Sequence, residues 1–180
     1  MNENKNAGTG FIPVYRHSAE YAISHDELEA YRASCKANKE CRMAIEEAIQ
    51  QNYHDNRLDT KTTSVQLGQK FSPERLSYVL ANTIQQKSWD GRFSEANKAW
   101  AASVSITEDK SEWGEDRNRQ FSVNGAHPGL VDLLANQIRK ELAQVKEQPE
   151  KKPSILEKLQ KPLPALQTSD APKKAKEFSL

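Results

Sequence analysis

The chain has 180 residues, 36% of them hydrophobic, and 26 Lys/Arg against 25 Asp/Glu leave a formal charge of +1. Its mean hydropathy of −0.85 allows a modest core, enough for one domain plus tails. Near-neutrality argues against an acidic DNA mimic and gives no broad basic field for a phosphate backbone, so nucleic-acid contact would need a local patch or a protein partner.

Two cysteines, Cys35 and Cys41, would lie about 9 Å apart on one helix, too far for a disulfide, and zinc needs more ligands. They read as reduced thiols. No long apolar run is present, and MNENKNAGTG lacks the basic-then-apolar order of a signal peptide. A cytoplasmic protein is expected.

Residues 1–11 read as a flexible lead-in. "FIPVYR" (11–16) alternates bulky residues around Pro13 and predicts a short edge strand. "HSAEYAISH" (17–25) predicts one or two helical turns capped by Ser18. The main helix is expected over 24–53. Ser24 and Glu27 form a capping box there, and Leu28, Tyr31, Cys35, Asn38, Cys41, Ile45, Ala48 and Ile49 make the inward stripe. The polar stretch 52–71 predicts loop, with a helical turn near Val65 to Leu67.

Ser72-Pro73-Glu74 opens the next helix with a cap, a first-position proline and an acid; Leu76, Val79, Leu80, Thr83 and Ile84 form its inner face. Asp90-Gly91 turns the chain, and Ser94 caps a shorter helix holding Ala96, Ala99 and Trp100. Residues 103–129 predict loop or short strands. A last helix begins near Pro128, with Leu130, Leu133, Leu134, Ile138, Leu142 and Val145 as its apolar stripe. The Lys/Pro-rich 147–180 reads as a disordered tail in which "SILEKLQKPLPAL" is a small apolar island. The fold expected is mainly α: one small domain over 12–146, about four helices with irregular connections behind a short N-terminal edge segment.

"PVYRHSAEYA", "LEAYRASCKANKECRMAIEEAI", "RLSYVLANTIQQKSWDGRFSEANKAWA" and "HPGLVDLL" occur in that order across roughly residues 13–135. Together they resemble an uncharacterised domain-of-unknown-function family of Gram-positive conjugative elements and plasmids. The resemblance supplies no catalytic residues. It implies a context of anti-defence cargo, and some Cas9-inhibiting anti-CRISPR proteins from such elements are similar in length and in lacking enzyme motifs. The expected function is therefore inhibition of a CRISPR effector, Cas9 or its guide-RNA complex, without cofactor or metal.

Two surfaces could carry that function. "VYRHSAEY" gathers Tyr15, Arg16, His17, Glu20 and Tyr21. Metal-free RNA cleavage needs a base, an acid and a cation for the phosphorane charge, roles open to His17, to Glu20 or Tyr21, and to Arg16. The alternative is that His17 belongs to a helix entry and Tyr15 to a contact surface. Trp89, Arg92 and Phe93 flank the Asp-Gly turn; they either grip a partner or, with Trp100, pack the corner. A binder is favoured, and a guide-RNA nuclease is the enzymatic alternative.

Residues 64–82 also resemble a loose helix-turn-helix that would send Arg75 and Ser77 into a major groove, so a DNA-binding regulator of a mobile element is the third alternative; no basic face surrounds them, and DNA binding is not expected. His54, Asp55 and Asp59 lack the spacing of a metal site.

Overall fold

The computed structural model describes residues 11–147. Six helices follow in order: α1 Ala19–Ser24, α2 Leu28–Gln51, α3 Thr60–Lys70, α4 Pro73–Gln86, α5 Glu95–Ser103 and α6 Pro128–Glu147. A hairpin of β1 Tyr53–His54 and β2 Arg57–Leu58 separates α2 from α3, and a 3-10 turn, Arg117–Phe121, precedes α6. The fold is mainly α, as expected. The chain divides into two units after Lys140, and α6 enters the second at Glu141. The apolar island near the C-terminus lies outside the described residues.

Ser18, Asp59, Ser72 and Ser94 each cap a helix by accepting a backbone N–H three residues on. Such caps satisfy amides that the first helical turn leaves without partners. Helix α4 is the centre. Leu76 and the run Tyr78 to Ile84 are buried, and α4 packs against α2, α3, α5 and the 3-10 turn. From α2, Asn38, Cys41, Ile45, Ala48 and Ile49 face inward as predicted.

Polar side chains fasten the irregular connections. Asn82 donates to Asn118 O (2.8 Å), Thr83 Oγ1 accepts from Val123 N (2.9 Å), and Asp132 accepts from Ser94 N (2.9 Å) and from Asn97 Nδ2. These bonds fix the loop between α5 and α6 and the start of α5.

Four expectations and one alternative need correction. Residues 11–16 form no strand, because their backbone is engaged by side chains instead: Arg75 takes the carbonyls of Ile12 and Pro13, and Ser34 takes Tyr15 N–H. The Ser24/Glu27 capping box is absent. There α1 ends with Asp26 in the left-handed region (φ 61°) while Glu27 N–H reaches Ala22 O, closing the helix. Glu27's carboxylate holds Tyr15 instead.

The supposed loop 52–71 is a two-residue hairpin followed by a full helix. Asp55 and Asn56 adopt φ of 54° and 60°, which suits the twist of the paired strands. On α6, Val131, Leu134, Ala135 and Ile138 are buried while Leu133 and Val145 are exposed, so the inner face is rotated from the predicted stripe. Finally, Arg75 is 2% exposed and cannot reach a DNA groove. Its Nη1 donates to Ser34 O, Ser34 Oγ and Asn38 Oδ1.

Candidate functional site

The segment leading into α1 is held from three sides. Val14 is buried, Thr107 Oγ1 donates to Arg16 O (2.6 Å), and Tyr15 hydroxyl donates to Glu27 Oε2 (2.7 Å). Burial, reinforced by Glu27, pushes the Tyr15 phenol well above its ordinary range. Tyr15 is therefore a neutral donor.

The four residues that could cleave RNA do not share one set of contacts. Arg16 donates to Ser105 O (3.1 Å) and Glu74 Oε1 (3.0 Å), and its guanidinium lies 5.4 Å from the centre of the buried Tyr78 ring. His17 instead stacks on Tyr21 at 4.0 Å and 16°, with the edge of Tyr15 at 5.6 Å. Tyr21 stacks in turn on His25 at 3.7 Å. Tyr21 and His25, four apart across the end of α1, lie on one helical face, and His17, just ahead of the Ser18 cap, completes the ladder. Glu20 is exposed on the first turn of α1. Among the described residues, no carboxylate is hydrogen-bonded to His17 to orient it, the relation that general-base histidines ordinarily use.

Beneath the ladder lies a cavity of about 10 Å³ lined by Tyr15, His17, Tyr31, Cys35 and Asp109, room for about one water. Asp109 is buried and joins three elements. It accepts from Ala19 N (3.1 Å) and Tyr31 hydroxyl (2.6 Å), with Arg117 Nε at 3.6 Å. Burial, then Asp109, raises the Tyr31 phenol far above its normal range, and burial raises the Cys35 thiol. This polar cluster builds the fold around the segment.

At the second surface, Phe93 is 2% exposed and packs in the core, so it is not a contact for a partner. Trp89 is 78% exposed, so it does not pack the corner. Trp100 is half-buried. Arg92 clamps Asp90 with both ends of its guanidinium, Nε to Oδ1 at 3.0 Å and Nη2 to Oδ2 at 2.8 Å. That clamp, with Arg92 N–H, lowers the Asp90 carboxyl to about 2. The arginine half of this surface is bound to the turn, and the tryptophan half faces solvent.

His54 and Asp55 sit at the hairpin, while Asp59 receives Thr62 N–H and hydroxyl and caps α3. Among the described residues no group of three or more His, Cys, Asp and Glu could hold a metal, and no helix is long and apolar enough to cross a membrane. Sequence reasoning missed Arg75 as a clamp, Asp109 as a junction, and Trp113, which is 86% exposed. The pattern Ser111-Glu112-Trp113-Gly114 was the available turn signal for the last.

A family model described as "Protein of unknown function (DUF3849)" matches residues 14–143, from the segment before α1 into α6. No curated protein and no solved structure matches the chain.

Proposed function

We propose, from the premise that the chain belongs to the DUF3849 family, that it acts by binding a macromolecular partner, and that this partner is a CRISPR effector, Cas9 with its guide RNA. The choice of effector rests on the resemblance of the four quoted stretches to proteins of mobile elements, whose cargo of this size is often anti-defence. The choice of binding over RNA cleavage rests on one observation. Arg16 is drawn to Glu74, Ser105 and Tyr78 while His17 is stacked against tyrosine, so cation and base have separate structural duties.

A solvent-facing Trp89 beside a tight turn supplies apolar area of the kind that dominates binding hot spots. Tyr15 is held by Glu27, and the exposed Arg92 by Asp90, so both candidate contact residues are fixed in position.

Co-elution of the full chain with purified Cas9–guide complex tests this reading. A stable complex is expected, with affinity lowered about 10-fold by Trp89→Ala. Separate elution at micromolar concentrations would remove the effector from the account.

A further inference from the structure

We infer that the hairpin carrying Trp113 is a further anchor for the partner, beside Trp89 in role, and that it docks into a basic-rimmed apolar cleft on a protein. This rests on the proposal that a CRISPR effector is the partner, and it names the surface and the chemistry involved.

The loop is built to hold one side chain out. Lys110 and Asp116 pair as an antiparallel bridge, and Ser111 N–H donates to Glu115 O at 2.8 Å. Gly114, at φ 82°, returns its N–H to Ser111 O at 2.9 Å. Ser111 Oγ accepts the N–H groups of Trp113 and Glu115, at 3.2 and 3.1 Å. Both feet are tied to the core. Asp109 is fixed by Ala19 and Tyr31, and Asp116 accepts from Gln86 Nε2 at 2.8 Å and from Asn118 N at 2.9 Å.

At the tip of this braced loop Trp113 is 86% exposed. A large aromatic held out by a rigid loop loses little conformational freedom on binding, the property that makes preorganised aromatics strong anchors.

The surrounding charge selects the partner. Around the tryptophan Glu108, Glu112 and Glu115 are exposed while Asp109 is buried, and Lys110, Arg117 and Arg119 are the neighbouring bases in the sequence. Lys110 lies 3.9 Å from Glu108, whereas Glu112 and Glu115 stand beside the tryptophan. Stacking Trp113 on a nucleotide base would bring phosphates against those carboxylates, so a nucleic-acid partner is disfavoured. A cleft rimmed by lysine or arginine, as in the positively charged channel that holds nucleic acid in an RNA-guided effector, meets both the ring and the acids.

The test uses the full chain, as wild type, Trp113→Ala and Glu112→Lys/Glu115→Lys, with purified Cas9 carrying labelled guide. Affinity and thermal melting are measured for each, and a photo-crosslinking amino acid at position 113 reports which component it touches. Expected are unchanged melting, at least about 10-fold weaker binding by both variants, and crosslinks to the Cas9 polypeptide. Wild-type binding that survives Trp113→Ala, or crosslinks to the guide alone, overturns the hairpin proposal while leaving the effector in place. Wild type that does not bind overturns the effector reading and this proposal with it.

Discussion

Tyr31 hydroxyl donates to Asp109 Oδ2 across 2.6 Å, joining α2 to a loop 78 positions later in the chain. Ala19 N–H meets the other oxygen of the same carboxylate, so one buried side chain joins α1, α2 and the foot of the Trp113 hairpin. Asp109→Ala should cost about 2–4 kcal/mol, since hydrogen bonds to a charged group contribute most and their partners stay buried. Chemical denaturation would read this, and Tyr31→Phe should cost less because only one donor is lost.

Arg75→Met should destabilise by about 3–5 kcal/mol, because Ser34, Asn38 and the carbonyls of Ile12 and Pro13 lose their shared donor. Hydrogen exchange should also speed up at Tyr15 N–H, whose acceptor is Ser34 Oγ. Unchanged exchange there would show that the N-terminal segment is held by packing alone.

Ile45→Asp should largely unfold the protein at 37 °C. Ile45 is 0% exposed on the inner face of α2, and an unpaired buried carboxylate combined with lost packing exceeds about 4 kcal/mol. A thermal melt matching wild type would contradict the placement of that face.

Acid titration should find the Asp90 carboxyl at about 2, lowered first by the Arg92 side-chain hydrogen bond. A carboxyl depressed in the folded state stabilises above its unfolded value of about 3.9, and that contribution disappears as pH falls toward 2. Arg92→Ala should return Asp90 toward the ordinary carboxylate range. Carboxyl-carbon NMR resolves both values, and an unshifted wild-type Asp90 would show that the clamp is absent in solution.

The helices whose signals are local were readable in advance. Ser72-Pro73-Glu74 and Ser94 cap as expected, and the α2 stripe from Asn38 to Ile49 faces the core. What failed depends on partners distant in sequence. Residues 11–16 look like an edge strand until Arg75, more than 60 positions away, takes their carbonyls. Glu27 looks like a cap until Tyr15 claims it. The hairpin at 53–58 was missed because its turn uses Asp55-Asn56 where Asn-Gly would have been obvious. At the candidate sites, residue types were legible but directions were not: adjacent Arg16 and His17 join different sets of contacts, and Trp89 faces solvent while Phe93 is buried.

The central claim, partner binding without RNA cleavage, is tested most directly by incubating the full chain with Cas9, labelled guide RNA and target DNA, and reading target cleavage and guide length from one gel. The account predicts that wild type blocks target cleavage with the guide at full length in every lane. His17→Ala should leave the guide intact and change inhibition only as far as it weakens association. A shortened guide with wild type, lost in His17→Ala although the protein still associates, would contradict the account, because loss of a general base costs about 10²- to 10⁴-fold in rate.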